Sequence, residues 1–504
     1  MLNNYNFLFA IIFLPILGYS QNQNSVWVLG DSAGIDFSNV NNPLPIGSGM
    51  DGRGSTCSIS DSTGQLLFYA YNIAGNGSMT TQVMNHNHQL MESGDSIIGE
   101  GWYQEMVIVP MPDYSSKYYL FSVGLGGLAT QGLYYSIIDM SLNGGLGKVI
   151  LKNVQLSAEA AFDGITAVKH GNGRDWWLLF KRDGYYTIAN NDFYIYFISP
   201  SGISVADTQS IGYLVSTAAG SISFNKSGGQ ILMTDWRNLI QTIDFDRCSG
   251  NLSNDNIIEP ENNFTNYSHF RSCFSSNGEV IYLTHIPQTL MSSEHYLFQY
   301  DLQAANILAS RDTIYIMNYP NDMIGLQLAP DDKIYISTWY QCNSFCFPYP
   351  DSVFNTSNMY LSVIDSPNLL GGSCGFQPNS FSLSGNRSYV GLPNNPDYSL
   401  GPLTGSGCDS LPVDVFDRPI EIPELNVYYQ KSWSECFINA QGLTGKKYSL
   451  EMYNLMGQKV YEGSGNLTQS YFYREILCVK FADEIYIVIL RTENEQLAKK
   501  FVKN

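Results

Sequence analysis

Short stretches of alternating apolar and polar residues recur along the first 400 positions. Each is followed by a polar turn and then by a second, more aromatic stretch. Residues 58–69, 274–283 and 328–336 show the unit most clearly, and 107–121, 167–179, 224–233 and 381–390 repeat it. Alternation at period two predicts half-buried strands, and Gly, Asn, Asp and Pro between paired stretches predict hairpin turns. One turn residue per copy, Gly64, Ser116, Gly173, Gly229, Gly278, Asp332 and Asn386, gives spacings of 49 to 57 residues. A period of that length, carried by hairpins without helical pattern, is the range of kelch-like propeller blades. A second strand pair follows most hairpins and ends in an aspartate, as at Asp139, Asp244, Asp301 and Asp365.

The two ends of the repeat region, 24–64 and 386–400, together make one further period. The N-terminal stretches 26–29 and 35–37 are therefore expected to complete the blade opened by 381–390, hiding edge strands that would otherwise template aggregation. The fold class expected is all-β: a seven-bladed β-propeller over 24–402, with six or eight blades as the alternatives, followed by a small β-sandwich.

The flanking segments differ from the repeats. Residues 7–17 are an apolar run too short to span a bilayer. Gly18 and Ser20 stand at the −3 and −1 positions of a signal-peptidase site, so 1–20 reads as a signal peptide. No cysteine follows the site, and no other stretch is apolar enough for a transmembrane helix. Residues 403–424 contain Gly405, Gly407, Pro412, Pro419 and Pro423 and read as a linker. Beyond it, 448–453, 459–461 and 485–490 alternate as strands of a separate β-domain, 425–504, which ends in the basic run Lys499, Lys500 and Lys503.

Residues 450–460, with the core Tyr453-Asn454-Leu455-Met456-Gly457-Gln458-Lys459-Val460, precede a strand ending at Leu490 and the terminal run 498–503. This segment resembles the C-terminal sorting domain of type IX secretion cargo from Bacteroidetes. The body, through 27–37, 139–147 and 391–393, is similar to the propeller-like region of such surface proteins. The resemblance implies export through the type IX secretion machinery to the outer-membrane surface or the medium. It does not imply what the body binds.

Composition narrows the partners. The 504 residues carry 45 acidic against 26 basic side chains, a net charge of −19, with 13% aromatics and only 14% charged residues. Such a chain is too apolar for disorder, and its charge excludes nucleic acid or an anionic membrane as the main partner. Nine cysteines suit an oxidising compartment, and their odd number leaves at least one unpaired. Cys342 and Cys346 are close enough in sequence for a local disulfide, whereas no CxxC or neighbouring histidine supports a metal.

Catalytic patterns fare poorly. Gly371-Gly372-Ser373-Cys374-Gly375 has the spacing of a nucleophile elbow, but Pro378 interrupts any following helix and all six histidines precede Ser373. Gly47-Ser48-Gly49-Met50-Asp51-Gly52 opens no helix, so it lacks the amides that hold a pyrophosphate and reads as a loop. His86 and His88 share a face if they lie on a strand, yet no third ligand is near. No metal, cofactor or catalytic residue is assigned.

The repeat itself supplies the binding candidates. Seven positions beyond each turn anchor the second strand reaches one rim of the ring, at Tyr71, Val123, Phe180, Trp236, His285, Trp339 and Pro393. Tyr71, Phe180, Trp236, His285 and Trp339 are the ligand-binding candidates, because aromatic rings at a channel mouth stack on sugars or anchor proteins. Packing between blades is the competing role for the same rings. The reading is a non-catalytic binding or scaffold protein for a glycan or surface protein. The alternative is a carbohydrate-active enzyme, a glycoside hydrolase or lyase, with its site in the channel.

Overall fold

A computed structural model describes residues 22–73, 80–99, 104–124, 126–128, 130–262, 267–287, 294–340, 353–409, 423–430, 434–467 and 472–503. The proposed signal peptide, Cys342 and Cys346 lie outside the described residues.

Six antiparallel sheets follow one another along residues 26–382, each made of strands consecutive in sequence. The first strands of sheets two to six are Met106–Pro110, Ala161–Lys169, Gly220–Phe224, Tyr267–Phe274 and Asn321–Leu328. Their second strands are Lys117–Gly124, Trp176–Arg182, Gln230–Asp235, Val280–Pro287 and Ile334–Tyr340. The intervening turns take the left-handed backbone where the sequence supplies Gly or Asp: φ is +76° at Gly173, +76° at Gly278 and +62° at Asp332.

First strands of successive sheets adjoin one another; Ile165 donates its backbone N–H to Gln104 O (2.8 Å) and Asp163 to Ala218 O (2.7 Å). Every neighbouring pair of sheets shares an apolar core. Phe162, Ile222 and Ile243 join sheets three and four, Phe274, Ile281 and Leu232 join four and five, and Met317, Leu326 and Ile336 join five and six. The circle closes where Trp27, Leu29, Ile35 and Phe37 pack on Tyr335, Leu361 and Val363. Consecutive meanders around a common hub make a β-propeller.

The ring departs from the sequence expectation at its closure. Residues 381–390 form no hairpin: the strand Phe376–Ser382 ends sheet six, Ser384 and Gly385 turn the chain with φ of +54° and +93°, and residues 386–409 carry no strand. Sheet six is already four strands deep without the N-terminus. Val26–Leu29 and Asp31–Asp36 instead pair into sheet one, against the long strand Leu44–Ser60, whose second half pairs with Leu66–Ile73. The first sheet is split between the two halves of its long strand: Val26 and Val28, beside the first half, pack against Tyr69 and Tyr71, beside the second. The Gly47–Gly52 stretch, expected to be a loop, lies inside that long strand.

From Arg387 to Pro396 the chain is non-strand yet buried throughout. It enters beside Asp31, whose backbone N–H donates to Arg387 O (2.8 Å) and whose carboxylate holds the Arg387 guanidinium (Nε–Oδ2 2.8 Å). It then crosses the hub, satisfying backbone groups on the open inner edges of the first strands. Ser337 Oγ donates to Val390 O (2.9 Å), Asn394 N–H to Thr56 O (2.8 Å) and Tyr398 OH to Ile108 O (2.9 Å). The Asn394 carboxamide nitrogen donates to Met106 O and Ile165 O, both at 2.9 Å, while Asn395 Oδ1 accepts the Ser58 N–H at 2.9 Å. The segment leaves over sheet three, where Leu403 N–H donates to Gly171 O (2.7 Å), and is tied to sheet four by a Cys248–Cys408 disulfide. Residues 403–409, expected to be linker, are pinned to the ring.

Residues 424–502 form two further antiparallel sheets, one of Glu424–Gln430, Glu435–Gln441 and Phe472–Leu477, the other of Lys447–Asn454, Lys459–Asn466, Ile485–Thr492 and Gln496–Val502. Ile438, Leu450, Met452, Phe472, Val488 and Phe501 from both sheets share one core. The unit touches sheet two. Phe437 and Tyr473 pack on Ile98 and Tyr134, and the fully buried Lys152 meets Glu475 at 2.5 Å and Asp95 at 3.5 Å.

Candidate functional site

Two faces of the ring are distinguishable: one where second strands end, and one carrying the turns between first and second strands. The five candidate residues all sit at the first face, but with different surroundings. Phe180 is fully enclosed, its ring 4.9 Å from Tyr194 and stacked on it. Tyr71 is buried beside Tyr69 and donates its hydroxyl to Gln82 Oε1 (3.1 Å). Trp339 is buried with Ala219, Phe270, Ile324, Tyr389 and Val390, in an apolar cluster that closes the hub at this end. His285 is half-buried, and Trp236, 40% exposed, is the most accessible of the five. The geometry brings no continuous aromatic rim together, because second-strand ends face the neighbouring sheet as often as the solvent.

Polar groups that the sequence did not single out gather there instead. His285 Nδ1 lies 3.0 Å from His269 Nδ1, its cross-strand partner, and His295 Nε2 lies 2.9 Å from Asp322 Oδ1. Burial, with Arg311 and His295 nearby, pushes His285 down to about 4, and burial, with His285 beside it, holds His269 well below the usual imidazole range. At neutral pH these two imidazoles are uncharged and bond to one another.

On the adjoining sheets, Asp235 accepts the backbone N–H groups of Arg237 (2.8 Å) and Leu239 (3.0 Å) through Oδ1. Burial, and then Glu261 against it, raise the Asp235 carboxyl well above the usual range. Glu261 in turn accepts the Ser216 N–H at 2.7 Å. Lys181 is buried and donates to Asn190 O (2.9 Å) and Asn190 Oδ1 (3.0 Å); burial pulls it down to about 7. These groups are packed together inside the sheets, and Asp235 Oδ2, His269 Nε2 and His295 Nδ1 are buried there without a hydrogen-bond partner among the described residues. They come from segments far apart in the chain, so no local sequence spacing could announce the cluster.

The opposite face holds a cavity of about 560 Å³. Its walls are the first strands of sheets three, four and six, through Thr166, Ser223, Phe224 and Gln327, and the hub segment from Asn394 to Leu400. Lys226, paired with Asp332, stands at the mouth.

The remaining motifs resolve into turns. Gly371–Cys374 is a short 3-10 turn with Ser373 exposed, not a strand-to-helix elbow. His88 adopts φ +60° in the turn after Thr81–Asn85, its Nδ1 3.3 Å from the Tyr69 hydroxyl. Among the described residues no group of three or more His, Cys, Asp or Glu side chains is placed to hold a metal. Two of the strand-end aspartates cap the turns after them: Asp139 accepts from Ser141 N–H (2.9 Å) and Asp301 from Gln303 N–H (2.8 Å). Cys57, Cys273, Cys374, Cys436 and Cys478 are free and buried.

No protein-family model matches the chain, and no curated protein sequence matches it. Among solved structures it is similar to a protein from Lactobacillus plantarum, with 10% identity over 74% of this chain and 99% of that one and a TM-score of 0.42. It is also similar to the Dos1 propeller, at 10% identity over 72% and 83% of the two chains (TM-score 0.39). A third is a calcium-binding regucalcin from Agrobacterium tumefaciens, at 12% identity over 68% and 92% (TM-score 0.33).

Proposed function

We propose that the chain is an exported, non-catalytic β-propeller that binds or scaffolds partners at the outer-membrane surface or outside the cell. Residues 425–504 act in this reading as a β-sandwich sorting domain for the type IX secretion machinery. The filled hub carries the binding half of the proposal. Residues 387–398 occupy the axis, and the histidines and carboxylates near the closed end are buried against one another rather than open to a substrate. A glycoside hydrolase needs two carboxyl groups facing one substrate. At the open mouth Asp332 is tied to Lys226, and Asp397 accepts from the Ser399 N–H (2.9 Å).

The sorting half is supported by the independent core of 424–502 and by the hairpin at its distinctive motif. Asn454 Oδ1 accepts the N–H groups of Met456 (3.1 Å) and Gln458 (2.9 Å), and Gly457 turns the chain at φ +75°. The tip so formed presents Leu455, 62% exposed, and Met456, 81% exposed, as a hydrophobic handle. Deleting 425–504 tests the proposal: the propeller is expected to fold and to be retained in the periplasm. Secretion of the truncated chain overturns the sorting assignment.

A further inference from the structure

We infer that the outer edge of sheet two is a receptor surface for the chain's own 424–502 unit, and that the two stay bound as separate pieces once the chain between them is cut. The inference goes beyond the reading above and stands whether or not the secretion machinery recognises that unit. Strand alternation carries it. In Glu435–Gln441 the side chains of Cys436, Ile438 and Ala440 belong to the sandwich core, so Phe437 and Asn439 point away from it. The outward face of a two-sheet unit is ordinarily polar and wet. Here Phe437 packs on Ile98 and Tyr134, Asn439 Nδ2 donates to Lys152 O (3.4 Å), and both side chains are buried because the propeller covers them.

The propeller side is built to match. Lys148–Ser157 is the fourth and outermost strand of sheet two, where a lysine side chain is expected in solvent. Lys152 is instead fully buried. Its ammonium is held by Glu475 of the sandwich at 2.5 Å and by Asp95 O (3.1 Å) and Oδ1 (3.5 Å) of the propeller, and lies 5.3 Å over the Tyr473 ring. One cation thus bridges the two units through a carboxylate from each. Segment 95–98 is fixed to the same strand by Asn153, whose Oδ1 accepts the Ile98 N–H (2.8 Å) and whose Nδ2 donates to Ser96 O (3.0 Å). A buried aromatic anchor beside a charge-assisted pair is the arrangement that dominates affinity between proteins.

No disulfide among the described residues ties the units together. Cys248 and Cys408 both precede residues 410–422, and Cys436 and Cys478 carry free thiols. The docked arrangement hides Phe437 but leaves Leu455 and Met456 exposed at their hairpin tip. The propeller therefore carries its C-terminal unit as a bound partner in a fixed orientation, with the tip still open, rather than as a loose tail.

The test places the recognition site of a sequence-specific protease within 413–418 of the full mature chain and follows the cut protein by size exclusion over a dilution series. The two pieces are expected to co-elute at micromolar concentration. Glu475→Gln should weaken their association about tenfold, a moderate loss because this carboxylate is partly open to solvent. Phe437→Ala should weaken it roughly a hundredfold, and Ile98→Ser on the propeller side reads the same pocket if the Phe437 variant does not fold. Pieces that separate at micromolar concentration overturn the inference, and so does association that none of these substitutions weakens. Such failures leave the deletion experiment on export untouched, since its readout is location rather than affinity.

Discussion

Asn394 joins two sheets through one side chain, and replacing it measures what the hub segment contributes. Its carboxamide nitrogen has two protons and meets Met106 O and Ile165 O at 2.9 Å, with Gln104 O more distant at 3.4 Å. Asn394→Ala removes the donor and leaves two carbonyls on inner strand edges with no partner. An unsatisfied buried group costs about 1–3 kcal/mol, so two cost roughly 2–6 kcal/mol. Asn394 borders the hairpin-face cavity, from which water can reach the vacated site, and this moves the expectation to the lower half, about 2–4 kcal/mol. Denaturant titration of the full chain, followed by tryptophan fluorescence, reads the effect as a lower midpoint at unchanged slope. Trp176 packs against Tyr398 at 5.9 Å and reports on the same segment. Asn394→Asp should be worse at neutral pH, because it sets a carboxylate against the same carbonyls. A loss below about 0.5 kcal/mol for Asn394→Ala, the level of an unremarkable surface change, would refute the claim that the segment holds the ring together.

Two further outcomes follow from the same physics. The Asp235 carboxyl is raised in the folded state, so the fold binds a proton there that the unfolded chain releases. Its stabilisation is full below the ordinary aspartate range and declines as pH climbs from that range toward the folded value. Asp235→Asn should therefore flatten the decline in unfolding temperature with rising pH; an unchanged profile counts against the assignment. The Cys248–Cys408 bond closes a loop of sequence separation 160, for which chain entropy gives up to about 5 kcal/mol. Cys248→Ser should lower stability by about 3–5 kcal/mol in non-reducing thermal unfolding, and dithiothreitol should abolish the difference from the unmodified chain. Equal stability with and without the bond would contradict this.

The parts of the fold legible in the sequence were those fixed by neighbours in the chain. Gly64, Gly173 and Gly278 mark turns because a positive φ is needed there and glycine adopts it without strain, and Asp332 tolerates the same angle. Asn386 carries the same local signal but follows a sheet already four strands deep, so the chain turns inward instead of pairing. What decides between those outcomes is whether a strand partner remains, and that information sits far away. The same holds for the candidate site. Tyr71, Phe180 and Trp339 satisfy the spacing of rim residues, yet spacing fixes only height along a strand and leaves burial to the adjoining sheet. Thr166 and Gln327 carry no local signal at all; only the ring sets them around one cavity. The pairing of His269 with His285 was readable only once the register of two strands was known.

The hub segment also sets a schedule. Its bonds to sheets one and two bridge separations of 288 to 356 residues, so the N-terminal third of the propeller waits for residues near 394 before its inner edges are satisfied. Contacts of that range make folding slow, since a long stretch must be ordered before they repay its entropy. A chain appearing from its N-terminus cannot lock its ring early. The keystone arrives late, and until it arrives the inner edges of sheets one and two lack the partners that close the ring.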